Sequence, residues 1–260
     1  MLTKWEKLPD FLRTEEVKKY YDVLDKKRFS LFLKRAFDIF VSVLMLLLLS
    51  PLFIGLAIAI KIDSKGPVFY RQERVTQNGK RFKIHKFRSM VTDADKKGSL
   101  VTVDNDSRIT RVGKFIRKTR LDEVSQLIDV LSGNMTFVGT RPEVLKYVER
   151  YTPEMNATLL LPAGVTSEAS IYFKDEAELL KNAENADEVY INEVVPIKMY
   201  YNLKSIKNFG FFKDIGVMIK TVLAVLGKKY VGNHVAQTAE NKGEDNAEGK
   251  DGNNESSEKR

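Results

Sequence analysis

The stretch IFVSVLMLLLLSPLFIGLAIAI, residues 39–60, decides the architecture: it is 22 residues long, carries no charge and has Ser50-Pro51 near its centre. At ~1.5 Å per residue, an unbroken helix of that length just reaches across ~30 Å of hydrocarbon. Proline removes a backbone donor and bends a helix, so the centre of the segment predicts a break. Both flanks are basic, with Lys34 and Arg35 before and Lys61 and Lys65 after, so charge asymmetry selects no orientation. A helix broken at Ser50-Pro51 that returns to the face it entered satisfies both flanks. A straight span with a tolerated proline is the alternative.

The rest of the chain reads as a folded body around this segment. Its 260 residues are 43% hydrophobic and 30% charged, enough for a substantial core. Net charge is +8, and the last 25 residues hold seven acids and four bases, so the remainder carries +11. A basic body suits anionic lipid, phosphorylated substrates or nucleic acid. The absence of cysteine excludes disulfides and thiolate metal sites. Two histidines, His85 and His234, make a histidine-based zinc site a poor expectation. The opening MLTKWEKLPDF does not have the form of a signal peptide.

Residues 1–33 form a polar, basic segment in which Phe11, Leu12, Val17, Tyr20, Tyr21 and Leu24 recur at helical spacing. That predicts an amphipathic helix on the membrane or on the domain. The membrane segment is taken as 34–62 and a catalytic domain as 63–230. VFYRQERV (68–75), Gln77-Asn78-Gly79 and RFKIHKFRSM (81–90) read as a β-hairpin. A loop follows through Asp93, Asp95, Gly98 and Asp104. Thr119 is expected to open a helix along Leu121, Val124, Leu127, Ile128 and Leu131, ended by Gly133-Asn134. Another helix is expected after Pro142 and an acidic one over 175–190. Residues 209–226 are apolar but carry Lys213, Asp214 and Lys220, which fits a helix on the domain or at the interface. Residues 236–260 lack an apolar pattern and are expected to be disordered. The fold class is α+β: mainly helical and membrane-associated, with a small hairpin or sheet, one re-entrant helix and interfacial amphipathic helices.

Chemistry concentrates in TRLDEVSQL (119–127). Asp122 and Glu123 stand just behind Arg108, Arg111, Lys114, Arg117, Lys118 and Arg120. Such a cluster attracts a polyanion, and the two carboxylates can attack it or hold a metal on it. Thr119-Arg120-Leu121-Asp122 also fits a capping box, in which Asp122 would only close a helix N-terminus. At a helix start the free N–H groups favour phosphate, with Asp122 as nucleophile and Glu123 as a magnesium ligand. Lys86, Arg88, Arg117 and the Arg141-Pro142 pair in FVGTRPE are candidate phosphate contacts, because guanidinium groups grip phosphate with two prongs. His85 reads as an ordinary strand residue, and Asp93 and Asp95 as loop residues.

These stretches resemble the monotopic phosphoglycosyl transferases, the bacterial sugar transferases that act on undecaprenyl phosphate. The resemblance is carried by KRAFDIFVSVLMLLLLSP (34–51), GPVFYRQERVTQNGKRFKIHKFRSM (66–90), DSRITRVGKFIRKTRLDEVSQLIDVLSGNMTFVGTRPE (106–143) and LPAGVTS (161–167), in that order, from about Phe32 to Leu226. It implies transfer of a sugar-1-phosphate from a UDP-sugar to a polyprenyl phosphate at the cytoplasmic face of the bacterial inner membrane, with release of UMP. It implies Asp122 as the nucleophile of a covalent phosphosugar intermediate and Glu123 as the Mg²⁺ ligand. Arg117 and Arg141 fall on family arginines, and Ser50-Pro51 on the family's helix break. The single apolar segment matches the short form. The partners implied are UDP-sugar, polyprenyl phosphate and membrane lipid; a homodimer is compatible with the sequence. No nucleic-acid motif is present.

The chain departs from the family pattern at Ser125 and Thr140, each replacing a proline, at Lys174 in place of an arginine, and at Asn202 in place of an aspartate. None touches the carboxylate pair. The last two alter the expected sugar-phosphate contacts and suggest a distinct subgroup. The competing reading is a non-catalytic, membrane-anchored module that binds anionic lipid or a protein partner.

Overall fold

The computed structural model describes residues 2–94, 106–173, 185–228 and 230. It is α+β, rich in helix, with two small two-stranded sheets. Helix α1 (Glu15–Asp25) is capped by Thr14, whose hydroxyl accepts from Val17 N. Its Val17, Tyr20, Tyr21 and Leu24 are buried against the segment around Leu159 and Leu160 and against a later helix, so the N-terminal amphipathic helix lies on the domain.

Helices α2 (Arg28–Leu48) and α3 (Ser50–Asp63) meet at an angle of 61° across Leu49. Pro51 lies in the first turn of α3, where its missing N–H costs no helical bond. No single helix among the described residues is long and apolar enough to cross a membrane; this bent pair is, taken together. Large apolar side chains on both helices face outward, including Phe40 at 67% exposure and Leu48 at 69%.

One face of α2 is nevertheless fastened to the domain. Lys34, Asp38 and Ser42, spaced one turn apart, are buried. Lys34 Nζ donates to Val138 O at 2.7 Å and pairs with Asp214 at 2.5 Å. Asp38 accepts from Thr136 Oγ1 at 2.6 Å and from Phe137 N at 3.3 Å. Arg35 donates to Val130 O and Leu131 O. Lys34 and Arg35 are therefore not the free basic flank that the sequence suggests, because buried carbonyls and a carboxylate occupy them.

Strands β1 (Phe69–Val75) and β2 (Arg81–Phe87) pair antiparallel, with Tyr70 opposite Lys86 and Arg71 opposite His85. Asn78 and Gly79 turn the hairpin with positive φ, as the Asn-Gly signal predicts. Then come α4 (Arg111–Lys118), a 3-10 turn (Leu121–Gln126), α5 (Leu127–Ser132) ended by Gly133 at φ 83°, and β3 (Met135–Val138). The helix expected after Pro142 is only the short α6 (Leu145–Val148). Strand β4 (Ala163–Thr166) runs parallel to β3. Gly139 and Gly164 cross so closely that a Cβ on Gly164 would lie 2.2 Å from Gly139 N, and one on Gly139 would lie 3.0 Å from Pro162 O; close approach explains both glycines.

The chain ends its described part with α7 (Glu168–Tyr172), α8 (Ala186–Val189), a π-helical turn (Tyr190–Val194), α9 (Val195–Lys207) and α10 (Phe211–Val225). Helix α10 buries Asp214 and Val217 while Phe212, Ile219 and Val222 are exposed, an amphipathic arrangement. Phe211 meets Phe37 of α2 edge-on, which sets the two apolar helices side by side. Asp95, Gly98, Asp104, Lys174, most of 175–190 and the tail 236–260 lie outside the described residues.

Candidate active site

The carboxylate pair stands on the 3-10 turn, not at the start of a helix opened by Thr119. Thr119 ends α4: its N–H and its hydroxyl both donate to Phe115 O. Arg120 then takes a left-handed conformation at φ 57° and turns the chain into Leu121–Gln126. The capping box therefore fails, because the threonine side chain points back into the preceding helix. Non-glycine residues in this region are uncommon and concentrate at functional turns.

Strand β2 holds the turn in place. Ser125 is fully buried and donates to His85 O at 3.0 Å and to Asp122 O at 3.3 Å. Asp129, also buried, accepts from His85 N at 2.8 Å, and its other oxygen lies 2.8 Å from His85 Nδ1. His85 is thus more than an ordinary strand residue: backbone and ring together brace the turn. Ser125, where the family pattern has proline, supplies the hydroxyl of that brace.

This register sets Lys86 of β2 beside the pair. Glu123 Oε1 accepts from Lys86 Nζ at 3.2 Å and from Arg141 Nη2 at 2.5 Å. Arg141 arrives from the end of β3. Pro142 holds the residue before it extended, and Pro142 O in turn accepts from Arg74 Nη1 at 3.1 Å. The sequence therefore brings Asp122, Glu123, Lys86, Arg141 and Pro142 together, and Arg117 is close enough for its charge to favour the Asp122 carboxylate.

Arg88 goes elsewhere. It is buried, and its guanidinium donates to Ser64 O and Lys65 O at 2.7 Å, closing the end of α3 onto β2. It anchors the apolar helix pair to the domain, so it does not join Lys86 and Arg141 around Glu123. Arg74, Asp129 and Glu143 carry weight that the sequence reading missed. Each acts through a partner remote in sequence, and local spacing holds no sign of it.

The electrostatics separate the two carboxylates. Burial raises the Asp122 pKa and the Glu123 charge adds to that, while Lys86 and Arg117 pull it down. Burial also acts to raise Glu123, but the charges and hydrogen bonds of Arg141 and Lys86 prevail and hold it well below the usual carboxylate range. Lys86 is lowered by burial, against the pull of Glu123. Glu123 is thus the fixed anion of the site, and Asp122 is the partly desolvated carboxylate beside it.

No group of three or more metal-binding side chains occurs among the described residues. Magnesium commonly binds through one or two carboxylates and completes its shell with water and substrate phosphate. Asp122 and Glu123 fit that minimal set. Glu123 Oε2 takes no protein hydrogen bond among the described residues.

A basic and acidic cradle on this turn, with apolar helices beside it, defines a class, and comparison with known proteins identifies it. Residues 29–228 match the bacterial sugar transferase family, and the chain belongs to that family. It is 34% identical over 198 residues to the UDP-N-acetylgalactosamine-undecaprenyl-phosphate N-acetylgalactosaminephosphotransferase of Aeromonas hydrophila, covering 75% of this chain and 44% of that protein. It is 36% identical over 194 residues to the UDP-glucose:undecaprenyl-phosphate glucose-1-phosphate transferase of Escherichia coli (strain K12), covering 73% of this chain and 39% of that protein. A shorter relative, the exopolysaccharide production protein PSS of Rhizobium leguminosarum bv. phaseoli, is 43% identical over 148 residues, or 54% of this chain and 74% of the relative. The chain spans less than half the length of the first two.

Proposed function

We propose that this chain transfers a sugar-1-phosphate from a UDP-sugar to a polyprenyl phosphate, undecaprenyl phosphate in the first instance, and so starts a bacterial surface glycan. One observation carries the proposal: a partly desolvated Asp122, whose carboxylate makes no side-chain hydrogen bond among the described residues, stands beside a Glu123 that Lys86 and Arg141 hold ionised. In the first half-reaction an Asp122 carboxylate oxygen attacks the phosphorus that bears the sugar. The bond from that phosphorus to the bridging oxygen of UDP breaks and UMP leaves. In the second, an oxygen of the polyprenyl phosphate attacks the same phosphorus and the bond to Asp122 breaks, which regenerates the carboxylate. A ping-pong sequence suits a single cradle for two phosphate substrates that enter in turn.

Lys86, Arg117 and Arg141 supply the positive field in which phosphate charge is moved, and Arg141 offers the two-pronged contact. Magnesium, held by Glu123 with Asp122, would neutralise further phosphate charge when bound. The apolar faces of α2, α3 and α10 bring the site to the lipid acceptor. Beyond buried Ser42 only six residues of α2 remain, Val43–Leu48, or ~9 Å of helix. That length is well short of ~30 Å of hydrocarbon. With the bend at Leu49, it supports a helix pair that enters and leaves by the same, cytoplasmic, face.

UMP release tests the proposal: purified chain, Mg²⁺, undecaprenyl phosphate and single UDP-sugars, with Asp122→Asn as control. Release that vanishes in the variant and in chelator supports it. Equal release by Asp122→Asn would overturn Asp122 as the nucleophile.

A further inference from the structure

Arg141, which reaches Glu123, is followed at once by a segment fastened to the end of β1. Arg74 Nη1 donates to Pro142 O at 3.1 Å, and Val75 N donates to Glu143 O at 2.9 Å. The two carbonyls that come after Arg141 are thus held by neighbouring residues of one strand.

The buried Glu143 carboxylate extends this fastening to a second part of the domain. Its Oε2 lies 3.7 Å from Arg74 Nη1. Its Oε1 accepts from Tyr190 Oη at 2.6 Å and lies 3.5 Å from Lys198 Nζ. Lys198 Nζ donates to Tyr190 Oη at 2.8 Å, which closes a triangle of three buried side chains. Tyr190 opens the π-helical turn, a widening that often accompanies functional sites, and Lys198 stands on α9. One carboxylate therefore joins β1, the segment behind Arg141 and two elements from the end of the domain.

Burying such charges adds little stability, because apolar side chains of similar volume commonly serve as well or better. What this cluster supplies is position. Arg74 and Arg141 are close enough for their charges to oppose each other. Glu143 matches the Arg74 charge, and Gln72 Oε1 accepts from Arg74 Nη2 at 2.6 Å, so Arg74 is occupied and Arg141 is left to pair with Glu123. We propose that Glu143, backed by Tyr190 and Lys198, is the positioning residue that sets Arg141 against Glu123 and aims its guanidinium at the substrate phosphate. Glu143 touches no substrate in this role and acts through Arg141. The proposal rests on the transferase reading above.

The test reads kcat and KM for UMP release from the best UDP-sugar, with thermal unfolding alongside. Glu143→Gln keeps the shape and removes the charge; kcat is expected to fall roughly ten- to a hundredfold while KM stays within about threefold. The same substitution is then made in an Arg141→Lys background. A lysine is a point charge on a flexible stem with no fork to aim, so there Glu143→Gln is expected to lower kcat by less than about threefold. Tyr190→Phe removes only the hydroxyl that links Lys198 to Glu143. It is expected to cause a smaller loss with the same dependence on Arg141, and it carries the test if Glu143→Gln does not fold. An unchanged kcat, or an equal fold-loss in both backgrounds, overturns the positioning role, because a change that only weakens the fold does not depend on which cation stands at position 141. Release by Asp122→Asn is the separate result that overturns the reaction itself.

Discussion

Replacing Asp38 with alanine removes one of the polar contacts that fasten the apolar helix α2 to the rest of the domain. Two buried donors lose their partner: Thr136 Oγ1, now 2.6 Å away, and Phe137 N, now 3.3 Å away. An unpaired buried donor costs about 1–3 kcal/mol. The threonine hydroxyl can rotate toward another acceptor, whereas the peptide N–H of a strand cannot, so the sum falls near 3 kcal/mol, on the order of the upper range for single substitutions. At about 2–4 °C per kcal/mol for a chain of this size, thermal unfolding in detergent shifts down by about 6–12 °C. Phe40→Ala on the same helix serves as reference: Phe40 is 67% exposed, and its loss leaves stability within about 0.5 kcal/mol. In a cycle with Thr136→Val the two changes are non-additive, because each removes the same contact. An Asp38→Ala chain as stable as Phe40→Ala, or a strictly additive cycle, refutes the argument that a polar stripe holds this helix on the domain.

Other outcomes follow from the same geometry. Asp129→Ala leaves His85 N–H unpaired and frees the turn that carries the carboxylates; kcat for UMP release is expected to fall at least tenfold with KM little changed, and a variant that alters only KM contradicts the bracing role. Burial raises Asp122, and the attacking form is the carboxylate, which exists above its pKa. Single-turnover loading should therefore fail as pH drops through a value above the ~3.9 of an ordinary aspartate, and an acid limb below that value contradicts the assignment. Glu123 has the opposite sign: Lys86 and Arg141 hold its pKa down, so their stabilisation is complete above the ~4.3 of an ordinary glutamate and is lost progressively as pH falls below it. A stability profile of Glu123→Gln parallel to that of the unaltered chain below pH ~4.3 contradicts this linkage.

How far the sequence reveals this protein depends on the range of each interaction. The hairpin is legible because Asn78-Gly79 and the alternating runs beside it are local. The bend at Leu49 is legible because Pro51 acts on its own backbone. The carboxylate pair stands out by its setting among arginines. The turn that carries it does not, because Thr119-x-x-Asp122 has the spacing of a capping box whether the threonine starts one helix or ends another, and the left-handed Arg120 that decides between them has no signature. Lys34 and Arg35 look like a membrane flank until Val138, Asp214 and Val130 are seen to hold them. Lys34 and Val138 are 104 residues apart in sequence, and no periodicity spans that distance. Arg88 misleads for the same reason: an arginine after a strand looks the same whether it meets a phosphate or the carbonyls of Ser64 and Lys65.

The central claim is that Asp122 carries the sugar phosphate between the two substrates. Intact-mass analysis of the chain incubated with its UDP-sugar and Mg²⁺, without polyprenyl phosphate, tests it most directly. The account predicts an added mass equal to one phosphosugar, mapped to Asp122, absent from Asp122→Asn and discharged when undecaprenyl phosphate is added. An unmodified chain that still turns over when the acceptor is supplied, or an adduct on another residue, contradicts it.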